Sequence, residues 1–207
     1  KSREFLGRFI EENDLYVPIM AAKGWDRATD KLLIDEDDFN EVSKQWVRKV
    51  KSPFKPKPSV LETIEEFEKS FGVSQDKTSG MVKLSFEHFS PYLAKQLADK
   101  LVIAINENMR RRDLNEAEKS IEYLNHKIAE TNLADVKTML FSLIEEQTKT
   151  VMLANVRYEY VLKTIDPAVV SEKKEKPMRA LIVALLMILG GLISIMYVLI
   201  RHFAKLK

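Results

Sequence analysis

Pro91 is followed, as far as about Glu130, by no second proline and no glycine, and a segment of that length has few options other than one long helix. Ser90 before it supplies a cap, and proline suits the first helical position because its missing N–H would be unbonded there anyway. Forty residues at 1.5 Å rise extend about 60 Å. Leu93, Leu97, Leu101, Ala104 and Ile105 form the first apolar stripe. Leu114, Ala117, Ile121, Leu124 and Ile128 then alternate by three and four, which is a coiled-coil seam. Thr131-Asn132-Leu133 reads as a tip. A second helix returns from about Ala134 to Tyr158, with Val136, Leu140, Leu143, Ile144, Gln147, Val151 and Ala154 facing inward. Either helix alone is marginal in water, so the spacing predicts an antiparallel hairpin over 90–158.

A second feature is the run Ala180–Ile200, which carries no charge. A helix of that length covers about 31 Å, enough for a hydrocarbon core of about 30 Å, and the expectation is a C-terminal transmembrane helix over 180–200. Arg179 and Arg201 bracket it and Tyr197 lies near its end. Ala180, Ala184, Gly190, Gly191 and Ser194 give it a small-residue face of the kind that lets membrane helices approach closely. Basic residues on the two sides are too evenly matched for charge to set an orientation.

Residues 1–89 mix short elements. Ser2 caps a helix over 2–13 with Phe5, Leu6, Phe9 and Ile10 as its stripe. Leu15–Ala22 continues as a short helix interrupted at Pro18, Lys23–Asp26 reads as a turn, and Leu32–Ile34 as a strand. Phe39, Val42, Trp46 and Val50 are spaced for a helix. Lys51–Pro58 is an extended, proline-stiffened connector. Ser59-Val60-Leu61-Glu62 matches a capping box, with Leu61, Ile64, Phe67 and Phe71 on one face. Gly72–Gln75 and Met81–His88 form a β-hairpin by their alternation. Tyr158–Ile165 is β-rich and reads as a strand returning to the sheet, followed by a connector to residue 179. The fold class expected is therefore α+β: an α/β base, a long antiparallel helical hairpin, and a membrane helix.

Little catalytic chemistry is visible. The net charge of +2, from 33 basic and 31 acidic residues, leaves no global footprint for nucleic acid, and the absence of cysteine excludes disulfides and thiolate metal sites. His88, His126 and His202 are scattered. The acidic run Asp35–Asp38 lacks the glycine and terminal glutamate of a calcium loop and reads as a solvated helix start. Catalytic residues, metal ligands and cofactor are expected to be none. Arg110-Arg111-Arg112 is the strongest basic run. In a ring of subunits it can contact sugar hydroxyls or phosphate, or it can pair with Glu107, Asp113 and Glu116 within or between subunits.

The order of elements resembles the chain length determinant (Wzz) family of bacterial polysaccharide co-polymerases. The resemblance is carried by Leu15–Trp25 (LYVPIMAAKGW), Ser90–Ala94, Glu145–Lys149, Lys163–Ala168, and the combination of Pro167, Pro177, Gly190 and Gly191. Residues 170–176 contain no proline where the family's stretch is often denser. The family also has two membrane helices, of which this sequence shows only the second, so the chain reads as an N-terminally truncated piece. The resemblance implies an inner-membrane protein with residues 1–179 in the periplasm and 201–207 as a cytoplasmic tail. It further implies a non-enzymatic homo-oligomer that sets the chain length of O-antigen or a related surface polysaccharide, with a membrane polymerase and a lipid-linked glycan as partners. Pro167 and Pro177 would form its connector motif. The rival expectation is a single-span tether that recruits a protein partner through its coiled coil.

Overall fold

A computed structural model describes residues 2–171 and 179–204, with side chains in the last helix described for 182–197 and Arg201. The chain divides between Val170 and Ser171 into two compact units.

The first unit begins with α1 (Arg3–Glu12), capped by Ser2, whose hydroxyl accepts from Phe5 N–H at 3.4 Å. Its apolar stripe buries Leu6, Phe9 and Ile10. In α2 (Tyr16–Met20) Pro18 sits within the first turn, where its missing N–H costs nothing, so it does not interrupt the helix.

Two expectations are corrected next. Lys23–Asp26 is not a turn but lies in β1 (Ala22–Asp26), which pairs antiparallel with β2 (Lys31–Ile34) through Gly24↔Leu33 and Trp25↔Leu32. The turn falls at 27–30. There the Asp26 carboxylate accepts from Ala28 N–H at 2.9 Å and Thr29 Oγ1 at 2.6 Å, and Trp25 Nε1 donates to Asp30 at 2.8 Å. The second correction is at 39–50, which is not helical. β3 (Phe39–Asn40) and β4 (Gln45–Trp46) form a small hairpin, with Phe39 and Trp46 in edge-to-face contact at 5.1 Å. The Asn40 side chain accepts from Val42 and Ser43 N–H and Lys44 takes φ 51°, so local turn bonds outcompete a helix that would leave Val42, 97% exposed, with nothing to pack on.

The connector at 51–58 has no regular structure and is pinned by Arg48, which donates to Pro56 O, Lys55 O and the Glu62 carboxylate at 3.1, 3.0 and 2.9 Å. α3 (Val60–Ser70) starts with the expected reciprocal box: Glu62 N–H donates to Ser59 Oγ at 3.2 Å and Ser59 N–H to Glu62 Oε2 at 2.9 Å. Ile64 and Phe67 are buried, but Leu61 is 58% exposed. Thr63 takes the inner position instead, donating its hydroxyl to Ser59 O at 3.0 Å. β5 (Phe71–Gln75) and β6 (Val82–Phe86) pair with Val73 opposite Leu84 across an Asp76-nucleated turn.

No continuous sheet assembles from these strands. The unit is mainly helical, with three separate two-stranded ladders, which corrects the sheet-based α/β base. Its core comprises Leu6, Phe9, Ile10, Leu15, Ile64, Phe67, Leu97 and Leu101, with Phe71, Phe86 and Leu93 packed against it. Leu97 and Leu101 belong to α4 (Pro91–Glu130), where Leu93 N–H donates to Ser90 Oγ at 3.2 Å. One helix therefore roots in the core and then leaves it. Beyond the core α4 pairs with α5 (Ala134–Val156) along the expected seam. Ala117, Leu140 and Ala154 are buried; Leu114, Ile121, Leu124, Ile128, Val136, Ile144, Gln147 and Val151 are half-buried; Leu143 is largely exposed.

The returning strand expected over 158–165 is also corrected: those residues are irregular and join no ladder, and at Val161 and Leu162 a side chain of α4 takes the backbone bonds instead. In the second unit the apolar run is helical, α6 (Arg179–Ala204). The expectation of a transmembrane helix at 180–200 is corrected, since among the described residues no helix is long and apolar enough to cross a membrane.

Candidate functional site

One cluster of polar side chains lies where α4 leaves the core. Asn106 is the centre of one group. It is buried, at 6% exposure, and its side chain makes three bonds to the chain that descends from α5. Asn106 Oδ1 accepts from Val161 N–H at 2.9 Å and Leu162 N–H at 2.7 Å, while Asn106 Nδ2 donates to Leu162 O at 2.8 Å. One amide thus does for 161–162 what a neighbouring strand would do.

This segment, the strap (157–170), is tied to α4 at one further point, where Tyr160 Oη donates to Asp113 at 2.9 Å; within the strap Thr164 N–H donates to Glu159 Oε1 at 2.9 Å. Burial raises the Tyr160 phenol above its ordinary range, and the facing Asp113 carboxylate raises it further by favouring the O–H that donates to it.

The basic run lies one turn further along α4. Glu107 receives Arg110 as a two-pronged pair, Nε and Nη2 both at 2.9 Å, with Arg111 Nε at 3.6 Å. The hydrogen bond from Arg110 is the main reason the Glu107 carboxyl lies below the usual range, with the charges of Arg110 and Arg111 adding to it. Of the two alternatives for this run, pairing within the helix accounts for Arg110 and partly for Arg111; Arg112 is exposed. On the α1 side a groove of about 270 Å³ runs between α1 and α4, with Phe5, Phe9, Ile103 and Ala104 below and Arg8, Lys100 and Arg111 among the residues around it.

The other candidate residues lie apart from this cluster. Pro167 is exposed in the strap, and Pro177 lies outside the described residues. Ala184, Gly190, Gly191 and Ser194 are exposed on α6, and a Cβ added at Gly190 or Gly191 would meet nothing within 4 Å; Ala180 is helical in backbone. The acidic run at 35–38 is a turn before β3, not a helix start: Asp37 N–H donates to the Asp35 carboxylate at 3.1 Å and Phe39 N–H to Asp35 O at 2.8 Å. Among the described residues no His, Cys, Asp and Glu side chains group as metal ligands. His126 pairs with Glu130 at the hairpin tip. His88 is half-buried, its Nδ1 accepting from Ser90 N–H at 3.1 Å and its Nε2 donating to Pro18 O at 3.0 Å.

Asn106 and Tyr160 were not singled out from the sequence. The usable signal was the seam itself. Followed down α4 from Ala117, its face reaches Asp113 and Asn106, so it turns polar where the partner changes from a helix to bare backbone.

Residues 134–203 match the family model GNVR, described as "G-rich domain on putative tyrosine kinase". This domain is associated with polysaccharide co-polymerases and chain length determinants. The match begins at the first residue of α5, passes through the strap and runs into α6. No curated protein matches the chain.

Proposed function

We propose that this protein is a polysaccharide co-polymerase: a non-catalytic, homo-oligomeric scaffold that regulates the chain length of O-antigen or a related lipid-linked surface polysaccharide. The observation that carries the reading is the GNVR match across α5, the strap and α6, in a chain whose α4 and α5 form a hairpin rooted in a helical core.

The scaffold acts with the membrane polymerase at the bacterial inner membrane, its hairpin on the periplasmic side. Its contribution is geometric. A two-helix hairpin has one seam, so its outer faces stay available, and Met139, Phe141 and Met152 are exposed on α5. Apolar side chains at such positions support lateral packing of copies. An array of copies would present a surface of fixed extent beside the polymerase, and its capacity for glycan would bias when the polymer is released.

The test is deletion of the coding sequence followed by gel separation of the surface polysaccharide. The expected result is loss of the modal band in favour of a broad distribution, restored by the chain supplied in trans. A ladder unchanged by deletion refutes the proposal.

A further inference from the structure

The geometry points to the α1–α4 groove as a sugar-ring subsite, which takes one or two neutral pyranose residues of a glycan; this rests on the polysaccharide reading above. Half-buried Phe5 lines the floor, backed by the buried Phe9 ring with centroids 6.3 Å apart and planes 24° from parallel, and Ile103, which also lines the groove, is 58% exposed. Over that floor stand groups with hydrogen-bonding capacity to spare. Asn13 spends its Nδ2 on Phe9 O at 2.9 Å and keeps its Oδ1, while Lys100 and Asn108 have no side-chain hydrogen bond or ion pair among the described residues.

Other ligand classes fit less well. Phosphates and nucleotides need several uncommitted cations, but Arg8 is paired with Glu4 at 2.9 Å and Arg111 with Glu107 at 3.6 Å, which leaves Lys100 alone in a lining that also holds the carboxylates of Glu12 and Glu107. An extended peptide needs a sheet edge, and both walls are helices whose backbone groups are already bonded within themselves. An acyl chain would strip water from the rim amides and ammonium without replacing their hydrogen bonds. A pyranose ring satisfies both layers. Its C–H face packs on Phe5 and Ile103, and its hydroxyls, each both donor and acceptor, meet Asn13, Asn108 and Lys100.

The test uses the full chain, isotope-labelled for NMR, titrated with oligosaccharides released by mild acid from the producing cells' own surface polysaccharide. Saturable shifts at Ile103 and Ala104 are expected. Ile103→Asp, which sets an unpaired carboxylate on the floor at an already exposed position, should weaken binding about tenfold, and Asn108→Ala should weaken it in the same direction. Absence of shifts at Ile103 and Ala104, or equal binding by both variants and the wild type, overturns the subsite. In cells, deletion that broadens the polysaccharide while Ile103→Asp keeps the wild-type distribution sinks the groove and leaves the co-polymerase reading standing. Deletion without effect sinks that reading, and the titration then decides the groove alone.

Discussion

Replacing Asn106 by alanine removes three hydrogen bonds at once, and the structure sets what that should cost. Bonds of 2.7–2.9 Å of the neutral type contribute about 0.5–1.5 kcal/mol each, so the sum spans roughly 1.5–4.5 kcal/mol. Of the two strap residues that lose their partner, Val161 is exposed and Leu162 half-buried. Water therefore recovers part of the loss, and the expected cost falls near the lower end, about 2 kcal/mol. That free energy should appear mainly as local opening, because the core around Phe67 does not touch the strap.

At tenfold per 1.4 kcal/mol, hydrogen exchange at Val161 and Leu162 should accelerate roughly 30-fold. Trypsin offers a second readout, since Arg157 and Lys163 flank the tied residues; cleavage there should quicken while sites in α3 stay protected. Asn106→Asp is the sharper variant. Its carboxylate can still accept from both amides, but it sets a second oxygen against Leu162 O, so it should rescue little. Unchanged exchange and cleavage in Asn106→Ala would refute the idea that one side chain holds the strap.

Two further outcomes follow from the core. Burial lowers the His88 pKa below its ordinary 6.5, and Nδ1 must stay unprotonated to accept from Ser90 N–H. The unfolded chain therefore takes up this proton first as pH falls. Stability should be full above about pH 6.5 and decline below it, down through the depressed folded value; urea midpoints at pH 7.5 and 5.5 should differ less in His88→Gln than in the wild type, and an equal difference would count against the assignment. Phe67, with no exposed surface, meets Phe9 at 5.9 Å and Phe86 at 5.0 Å. Phe67→Ala should cost about 3–5 kcal/mol, whereas Leu61→Glu, on the same helix but in solvent, should stay within about 0.5 kcal/mol; urea unfolding separates them.

What was legible beforehand was whatever a short stretch of chain decides for itself. Ser90-Pro91 starts a helix because a hydroxyl and a missing N–H solve the same local problem, and the Ser59–Glu62 box closes within four residues. The α4–α5 seam was also readable, since each arm repeats its own three-four pattern and needs only one partner of the same kind.

Three-dimensional pairing decided the remainder. Phe39 and Trp46 are seven residues apart, which suits one face of a helix as well as it suits opposite strands of a tight hairpin, and the Asn40 turn settled it. Val42 and Leu61 follow the same helical spacing, yet spacing cannot say which apolar residues will find a neighbour, and these two did not. The apolar run at 180–200 announced a helix, and α6 forms, but apolarity over a run of sequence was not matched by a described helix long and apolar enough to cross a membrane. Tyr158–Ile165 had the composition of a strand but no ladder to join. Its backbone at Val161 and Leu162 found Asn106 instead, more than fifty residues earlier in the chain, because a peptide group takes any partner of the right geometry that the fold brings within about 3 Å.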